Sequence, residues 1–408
     1  MEIISDTTPR FTPEDLLTPA VAANPYPAYQ QLRNHSPVHY ANLEPPGAAS
    51  PTRGWGFMKY DDVYNALRDH DTFSSETAVT GQFGQKMVLL QDDPPRHTRL
   101  RRLVNTAFTL KRVEALEPWI TGIANELLDD IGGNEGNNAG NEAEVVSSYT
   151  IPLPVKVIAR LLGIPSDDYE TFKQWSDAFI SATAMVATAR MQHVEDMVAY
   201  FGKMAAARRE HGAEDLITAL VEGDIEGEAL EEWEILGFCI LLLIAGNETT
   251  TNLLGNVLNI LVDQPDLWQQ LRADRSLVEP VIEETLRLES PIQRLFRMTT
   301  KDVEVSGQHI RQGDRVTIFY GAANRDPSAF PDPDTFRLDR DLRHHVAFGT
   351  SIHYCLGAPL ARAEARVTLN TFLDRFPHLS RGTTPAVRQR TSYIIFGFNQ
   401  LPLRLISQ

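Results

Sequence analysis

Two cysteines, Cys239 and Cys355, are the side chains of this 408-residue chain with the most distinctive chemistry. Cys239 lies in an apolar run, whereas Cys355 lies in a loop that reads F-G-T-S-I-H-Y-C-L-G over residues 348–357 and precedes a predicted helix. A thiolate at that place is stabilised by free backbone N–H groups and by the dipole of the helix N-terminus. We expect the N–H groups of Leu356 and Gly357 to donate to the sulfur.

The loop by itself leaves several interpretations of Cys355 open. It could be a buried structural cysteine, or a nucleophile paired with His353, although no third orienting group stands out. Zinc is poorly supported, because a tetrahedral site needs four ligands and there is no second cysteine nearby. A haem iron needs only one axial protein ligand, and a thiolate in that role favours cleavage of the O–O bond.

The loop resembles the haem-binding signature of the cytochrome P450 family, F-G-x-G-x-H-x-C-x-G. The positions that match are Phe348, Gly349, His353, Cys355 and Gly357. The resemblance implies that haem b is the cofactor and that Cys355 is the protein ligand to its iron. One position departs from the family, since Ser351 stands where Gly is usual. If that position requires a positive φ, Ser imposes a modest strain.

A second motif, A-G-N-E-T-T at residues 245–250, interrupts the most apolar run of the chain, Ile235 to Ala245. Burying a polar group without a hydrogen-bond partner costs free energy, on the order of several kcal/mol. A plain interpretation is a helix kink in which a Thr hydroxyl bonds to a carbonyl one turn earlier. The motif is also similar to the acid–alcohol pair of the same family. That resemblance assigns proton delivery to Glu248 and Thr249, with Ala245 and Gly246 leaving room for O2.

A third motif, Glu284 and Arg287, places two opposite charges on one face of a helix. An ordinary surface ion pair is the simplest interpretation. The spacing also resembles the family's E-x-x-R motif, which implies a structural pair in the core beneath the haem. The usual third member, an Arg, is replaced here by Thr335, so Arg337 or Arg340 substitutes for it or the third member is absent.

The resemblance implies that cations for the haem propionates come from two segments and the cysteine loop. His97 and Arg101 are four residues apart and face the same way on a basic helix, so both could reach one propionate. The resemblance adds Arg297 and His353. Residues 96–112 contain six Lys or Arg and no acid in a chain of net charge −16. This patch is either a solvated helix face or a docking surface for an acidic electron-transfer protein.

The periodicity predicts a mainly α protein with a small β part. Its longest helix should run from about Glu228 to Val262, and Ser276 should cap another helix with Glu279 as capping-box partner. The resemblance implies the cytochrome P450 fold, in which the long central helix crosses over the haem. We expect residues 1–408 to form a single domain without a fused reductase. Its β-rich portion should comprise roughly residues 35–60 and 300–320 with the C-terminal strands, and helices should form the rest.

Composition limits the partners and the compartment. The acidic net charge argues against nucleic acid as a partner. Two cysteines in such a long chain indicate a reducing, cytoplasmic setting. The N-terminus lacks a signal peptide or anchor pattern, and the eleven-residue apolar run is short of the about 20 residues that a membrane span needs. We expect a soluble protein that acts as a monomer.

The resemblance implies a monooxygenase that hydroxylates a hydrophobic small molecule with O2. Electrons should come from a separate ferredoxin and its NAD(P)H-dependent reductase. The expected pocket residues are Phe83, Met87, Val88, Leu241, Ile244, Ala245, Leu295 and Ile395. Three other functions remain as alternatives: peroxide-driven oxidation on a haem-thiolate, a non-catalytic haem-based gas sensor, and a haem-free cysteine enzyme.

Overall fold

The computed structural model describes residues 11–43, 53–76, 87–105, 108–133, 142–165, 168–180, 187–225, 228–390 and 392–406. Its helices are α1 (Pro19–Ala23), α2 (Tyr26–His35), α3 (Tyr60–Arg68), α4 (Arg96–Asn105), α5 (Leu110–Gly133), α6 (Pro152–Leu162), α7 (Tyr169–Ile180), α8 (Ala187–Glu210), α9 (Leu216–Val221), α10 (Glu232–Val262), α11 (Pro265–Ala273), α12 (Val278–Leu288), α13 (Tyr320–Ala323) and α14 (Ala358–Arg375). Short 3-10 helices cover Pro13–Leu17, Arg275–Leu277 and Ser351–His353, and a π-helix covers Val146–Thr150.

The strands are short. They are β1 (Val38–Asn42), β2 (Arg53–Phe57), β3 (Phe73–Ser74), β4 (Glu142–Glu144), β5 (Asp224–Ile225), β6 (Glu228–Ala229), β7 (Leu295–Thr299), β8 (Val303–Val305), β9 (Gln308–Ile310), β10 (Arg315–Ile318), β11 (His378–Arg381), β12 (Val387–Arg388), β13 (Phe398–Gln400) and β14 (Pro402–Ile406). The mainly α composition with a small β part is therefore confirmed.

The chain folds into two compact units. The first draws on the described parts of Met1–Val79, Leu286–Tyr354 and Gln389–Phe396. The second draws on those of Thr80–Thr285, Cys355–Arg388 and Gly397–Gln408. The first unit is thus assembled from three separate stretches of sequence.

The first unit is built around a five-stranded sheet with the order β1-β2-β10-β7-β3. Its middle strand β10 pairs in parallel with β2 and antiparallel with β7. All four residues of β10 are buried, as expected for a strand covered on both faces. In the register with β7, Val316 lies opposite Arg297 and Ile318 lies opposite Leu295. The sheet thereby fixes the positions of two residues that the sequence singled out.

A buried arginine organises the irregular segment that follows this sheet. Arg287 is fully buried and donates to the carbonyls of Asn324 (2.9 Å), Pro333 (2.7 Å) and Thr335 (3.4 Å). Arg340 donates to the same Thr335 carbonyl at 3.0 Å, whereas Arg337 pairs with exposed aspartates. Of the two arginines that could replace the usual third member, Arg340 is therefore the one that shares an acceptor with Arg287.

The second unit is organised by α10, a 31-residue helix that packs against α6, α14, α8 and the π-helix. The predicted bounds, Glu228 to Val262, are four residues too long at the N-terminal end. Gly246 allows the approach of α6, because a Cβ at that position would lie 2.5 Å from Cδ1 of Ile158. The C-terminal strands β11 and β14 pair with each other, and β14 also pairs with β4, in this unit.

Among the described helices, α10 is long and apolar enough by length and composition to cross a bilayer. Of its most apolar window, 44% is buried inside the protein, and the core helix of a soluble protein passes the same test. Its central Asn247, Thr250 and Thr251 are buried polar residues, which fits a protein core better than a lipid environment.

One predicted cap is wrong. The side chain that caps the turn before α12 is Asp274, which accepts from the Ser276 N–H at 2.9 Å and from its hydroxyl at 2.6 Å. Ser276 lies inside the 3-10 turn and is itself the donor. The carboxylate is the stronger acceptor for a free N–H group, so the chain turns at Asp274, two residues before the predicted cap.

Candidate functional site

Cys355 lies in the second unit, immediately before α14. Gly357 is the N-cap of that helix and Ala358 is its first residue. The backbone N–H groups of Gly357 and Ala358 lower the pKa of the Cys355 thiol, and the Ala358 N–H also donates to the Cys355 carbonyl at 3.4 Å. The contribution of Gly357 agrees with the expected donor pair, and that of Leu356 stays a prediction. A Cβ on Gly357 would meet no atom within 4 Å, so there is open space beside the cysteine.

The charges around Cys355 oppose the effect of its burial. Burial raises the pKa of the Cys355 thiol, while the Gly357 N–H, the Arg101 and Arg362 guanidinium groups and the Ala358 N–H lower it. Arg362 is held by Glu283 through two hydrogen bonds of 2.6 and 2.8 Å. Arg362 was not among the residues predicted from the sequence. Its position two helical turns after Cys355, on the same face, is the signal that could have identified it.

The upstream half of the loop belongs to the first unit. Ser351 has φ +61° and Gly349 has φ +68°, so the condition that the sequence left open at position 351 is met and Ser occupies a left-handed conformation. Nε2 of His353 is hydrogen-bonded to Oγ of Ser75 at 2.9 Å. Phe348 packs edge-on against the exposed ring of Tyr354. Ser75 is a partner that sequence reasoning missed, because it lies 278 residues away along the chain.

The candidate propionate residues divide between the units. In the second unit, His97 is buried on α4, and Arg101, one turn later, is half-buried. Nε of Arg101 donates to Oδ1 of Asn105 at 2.9 Å. In the first unit, Arg297 is buried on β7, and its Nη1 donates to the carbonyl of Phe296 at 2.8 Å. Each unit thus presents a histidine and an arginine from the predicted set.

The polar motif of α10 is partly exposed at the centre of this apolar helix. Ala245 is exposed and Glu248 and Thr249 are half-buried, whereas the flanking Leu243 and Leu253 are buried. The Thr249 hydroxyl donates to the Ala245 carbonyl at 2.7 Å, which confirms the back-bonding expected from the sequence. Burial raises the pKa of Glu248 to about 7.

A network of polar side chains behind this motif was not foreseen. The Thr251 hydroxyl donates to the carbonyl of Thr150 at 2.9 Å and lies 3.4 Å from Oδ1 of Asn247. Asn252 donates from Nδ2 to the carbonyl of Glu248 at 2.7 Å. These bonds satisfy polar groups within the apolar helix and hold the peptide that carries Glu248.

The candidate pocket residues differ in exposure. In the second unit, Val88 and Leu241 are buried, Met87 and Ile244 are half-buried, and Ala245 is exposed. In the first unit, Leu295 and Ile395 are half-buried, and Ile395 forms an isolated bridge with Ile292. Phe83 lies outside the described residues. In the part of the chain that the structure describes, no group of three or more His, Cys, Asp or Glu side chains could hold a metal ion.

Comparison with known sequences gives a consistent match. A family model described as Cytochrome P450 matches residues 52–158 and 144–406. Cytochrome P450 109 of Bacillus spizizenii is 37% identical over 391 residues, which cover 93% of this chain and 92% of that protein. Cytochrome P450 monooxygenase PikC of Streptomyces venezuelae is 37% identical over 396 residues, with 94% and 91% covered.

Solved structures agree with the sequence matches. Cytochrome P450 CYP109Q5 from Chondromyces apiculatus superposes with a TM-score of 0.85 at 38% identity, covering 96% of this chain and 98% of that one. CYP109E1 from Bacillus megaterium in complex with corticosterone superposes with a TM-score of 0.83 at 34% identity, covering 94% and 99%.

The left-handed Ser351 gives a stability prediction. Ser351→Gly should raise the free energy of unfolding by about 1 kcal/mol, because Gly adopts positive φ without a Cβ clash. Urea unfolding measures the change. Ser306→Gly is the matched control: Ser306 has φ +47°, but its hydroxyl also bonds to Asp62 at 2.8 and 2.9 Å. The free energy of unfolding should therefore rise less in Ser306→Gly than in Ser351→Gly. A larger rise in Ser306→Gly would contradict the prediction.

The raised pKa of Glu248 gives a pH prediction. The carboxyl ionises near 4.5 in the unfolded chain and near 7 in the fold, so the unfolded state loses its proton first as the pH rises. The burial cost of the charge therefore destabilises the fold progressively between these values, by at most about 3 kcal/mol. The neutral Glu248→Gln variant should gain stability relative to the parent over that window.

Urea unfolding of the parent and the Gln variant from pH 4.5 to 8 measures this difference. Glu232→Gln removes an exposed carboxylate from the same helix and serves as the control. A difference between the parent and Glu248→Gln that stays constant across the window would show that Glu248 titrates alike in both states.

Proposed function

Because this chain belongs to the cytochrome P450 family, we propose that it hydroxylates a C–H bond of a hydrophobic small molecule with one oxygen atom of O2. Membership makes the chain a haem monooxygenase, whose haem iron is ligated by a cysteine thiolate. Cys239 is fully buried in α10, and burial raises the pKa of its thiol strongly. Cys355, with two N–H donors and two nearby guanidinium groups, is the cysteine suited to that role.

The surroundings of Cys355 fit a haem. Its donor set favours a thiolate, and the lack of side chains at Gly349 and Gly357 leaves the backbone accessible to a flat group. Ala245 and Gly246 would contribute the facing surface of α10. His97, Arg101, Arg297 and His353, with Phe348 of the loop, would hold the propionates and edge of the group. When bound, the haem supplies the activation of O2 and the transfer of one oxygen atom.

The protein's own contribution centres on Glu248 and Thr249, and this pair is the observation that carries the proposal. With a pKa of about 7, Glu248 can both release and take up a proton at neutral pH. The Thr249 hydroxyl gives its hydrogen to the Ala245 carbonyl, which leaves its oxygen lone pairs as acceptors of a further hydrogen bond. Such a pair can hold and pass the two protons that reducing one oxygen atom to water consumes. A peroxide-driven enzyme needs no such delivery.

The substrate we propose is apolar and of moderate size. Met87, Val88, Leu241, Ile244 and Ala245 in the second unit, with Leu295 and Ile395 in the first, supply apolar surface. The complex of CYP109E1 with corticosterone makes a steroid a suitable first probe. Apolar walls bind by burial of apolar area and leave orientation to a few polar groups.

We propose that electrons come from a separate ferredoxin and an NAD(P)H-dependent reductase. Arg99, Arg102, Lys111 and Arg112 are exposed, and they give an otherwise acidic protein a basic surface for an acidic partner. The same acidic charge, with two cysteines, supports a cytoplasmic protein that does not bind nucleic acid or insert in a membrane. We propose that residues 1–408 form one functional domain and that the protein acts as a monomer.

The proposed iron ligand, Cys355, is tested by replacing each of the two cysteines with serine in turn. Cys355→Ser should abolish the strongly red-shifted Soret band of the reduced, CO-bound protein, because that shift requires a thiolate ligand. Cys239→Ser is the matched control and should keep the band. A parent protein with an ordinary haem–CO spectrum, or none, would overturn the proposed function, and loss of the band in Cys239→Ser instead would overturn the assignment of Cys355.

Proton delivery is tested at Thr249. Thr249→Ala should lower the product formed per NAD(P)H consumed by about tenfold or more, with hydrogen peroxide released in its place, because an acid–base group has been removed. Thr249→Ser retains the hydroxyl and should restore coupling. The assay uses a ferredoxin and reductase with corticosterone, or with a panel steroid that shifts the Soret band. Full turnover of Thr249→Ala with peroxide, and no turnover of the parent with O2, would favour the peroxide-driven alternative.

A further inference from the structure

We propose that Arg96 is a positioning residue. It holds the turn Met87–Gln91 against the first turns of α10 and thereby determines which sizes of substrate the pocket accepts. We call Asp92, Arg96 and Glu234 the Arg96 clasp. The inference rests on the proposed function in one respect, that this face of α10 meets the substrate. The clasp itself is described entirely by contacts within the second unit.

Arg96 joins two segments that are distant in sequence. It is the first residue of α4, and its Nη2 donates to Oε1 of Glu234 at 2.8 Å. Its Nε lies 3.5 Å from Oδ1 of Asp92. Its guanidinium also lies 4.7 Å from the ring centre of Trp233, within the range of a cation–π contact. One side chain therefore holds both the end of the turn segment and the start of the central helix.

Asp92 links Arg96 to the backbone of the turn. It is fully buried, and its second oxygen, Oδ2, accepts from the N–H of Leu89 at 2.7 Å. Leu89 has φ +67°, a left-handed conformation that persists only where surrounding contacts enforce it. At the start of the same turn, the Met87 N–H donates to Oε1 of Gln91 at 2.7 Å. The strained turn thus depends on the carboxylate that Arg96 contacts.

The other end of the clasp is fixed. Oε1 of Glu234 accepts from Arg96, while its Oε2 accepts from the Glu231 N–H at 2.9 Å and so caps the helix. The Glu234 side chain is 14% exposed and the Arg96 side chain is 37% exposed, so water screens the pair mainly from the Arg96 side. Because Glu234 is held by the helix terminus, it cannot follow Arg96 if the turn moves away.

The clasped turn packs on the helix face that we assign to the substrate. Val88 is buried against Gly237, where a Cβ would lie 2.5 Å from Cγ2 of Val88. Gly237, Leu241 and Ala245 follow one another at intervals of four residues and therefore share one face of α10. Displacing the turn would move Val88 away from the start of the apolar strip that ends at Ala245. The Arg96 clasp thus controls the width of the pocket at that end.

Three variants and one control distinguish an effect on substrate size selectivity from a general loss of protein stability. Arg96→Leu removes the clasp, and Glu234→Gln weakens it while keeping an acceptor for the helix cap. Gly237→Ala displaces Val88 without touching any charge. Arg209→Leu is the control, because Arg209 also pairs with the first turn of α10, at 3.9 Å from Glu232, but as an exposed pair.

The first measurement compares two azoles that bind haem iron, titrated by their spectral shifts. Imidazole is too small to touch the pocket wall, whereas 4-phenylimidazole extends toward it. Arg96→Leu should raise the ratio of the dissociation constant of 4-phenylimidazole to that of imidazole. The ratio should rise by about fourfold for each methylene-sized area of pocket wall that no longer contacts the phenyl ring. Gly237→Ala should change the ratio too, and Arg209→Leu should leave it as in the parent.

The second measurement does not depend on the haem. Hydrogen exchange of the segment 87–97 should be faster in Arg96→Leu and Glu234→Gln, because the Leu89 N–H loses its fixed acceptor, and should be unchanged in Arg209→Leu. Should Arg96→Leu fail to fold, Glu234→Gln and Gly237→Ala carry the same comparison.

The outcomes separate the inference from the function on which it rests. A parent without the red-shifted CO band overturns the proposed function, whereas exchange then still decides whether the clasp exists. A parent with the band, together with an azole ratio unchanged in Arg96→Leu and Gly237→Ala, overturns selectivity by the clasp alone. Unchanged exchange over residues 87–97 in Arg96→Leu and Glu234→Gln overturns the clasp itself. Matching changes in both measurements support it.

Discussion

A half-buried sulfur that must carry negative charge is the constraint on which the rest of the structure depends. Desolvation of Cys355 favours the neutral thiol, so the fold has to supply positive potential at the sulfur from several directions. The N-terminus of α14 provides two N–H groups, α4 provides Arg101, and α14 itself provides Arg362. Glu283 on α12 in turn orients Arg362. Residues of three helices, α4, α12 and α14, therefore contribute to the potential at the Cys355 sulfur.

The central helix solves the opposite problem, because it must keep polar groups in an apolar setting without losing its shape. Its hydrogen bonds show two ways of doing so. Thr249 bonds back to its own helix at Ala245, and Thr251 reaches outward to the Thr150 carbonyl of the π-helix. The first arrangement leaves a hydroxyl oxygen accessible at the helix surface, and the second anchors the helix to its neighbour. A helix with a continuous apolar surface would need neither bond.

The sequence was sufficient for features that depend on local spacing. Back-bonding by a Thr of the central motif and the helix after Cys355 both follow from residues within a turn of one another. Features that depend on competition between neighbouring groups were less predictable. Asp274 replaced Ser276 as a cap because its charged carboxylate is the stronger acceptor, and the contribution of Ala358 to the potential at the sulfur was not foreseen.

Contacts between distant segments could not be predicted from the sequence at all. The bond between Ser75 and His353 joins residues 278 apart, and nothing near either residue indicates the other. The bond that Arg340 makes to Thr335 was left open for a related reason. Two arginines follow Thr335 at short spacing, and only the fold determines which of them turns toward the carbonyl that Arg287 also uses.

The order of strands in the five-stranded sheet has a consequence for how the protein folds during synthesis. Strands β1 and β2 can pair as soon as residue 57 has left the ribosome, but the next strand inward is β10, at residues 315–318. The parallel pairing of β2 must wait for about 250 further residues, and pairings of such long range form slowly. During that interval one side of β2 is an unpaired edge, which is a template for association with other chains. The growing polypeptide is therefore most vulnerable to aggregation before β10 is synthesised, while the helical unit encoded in between is being completed.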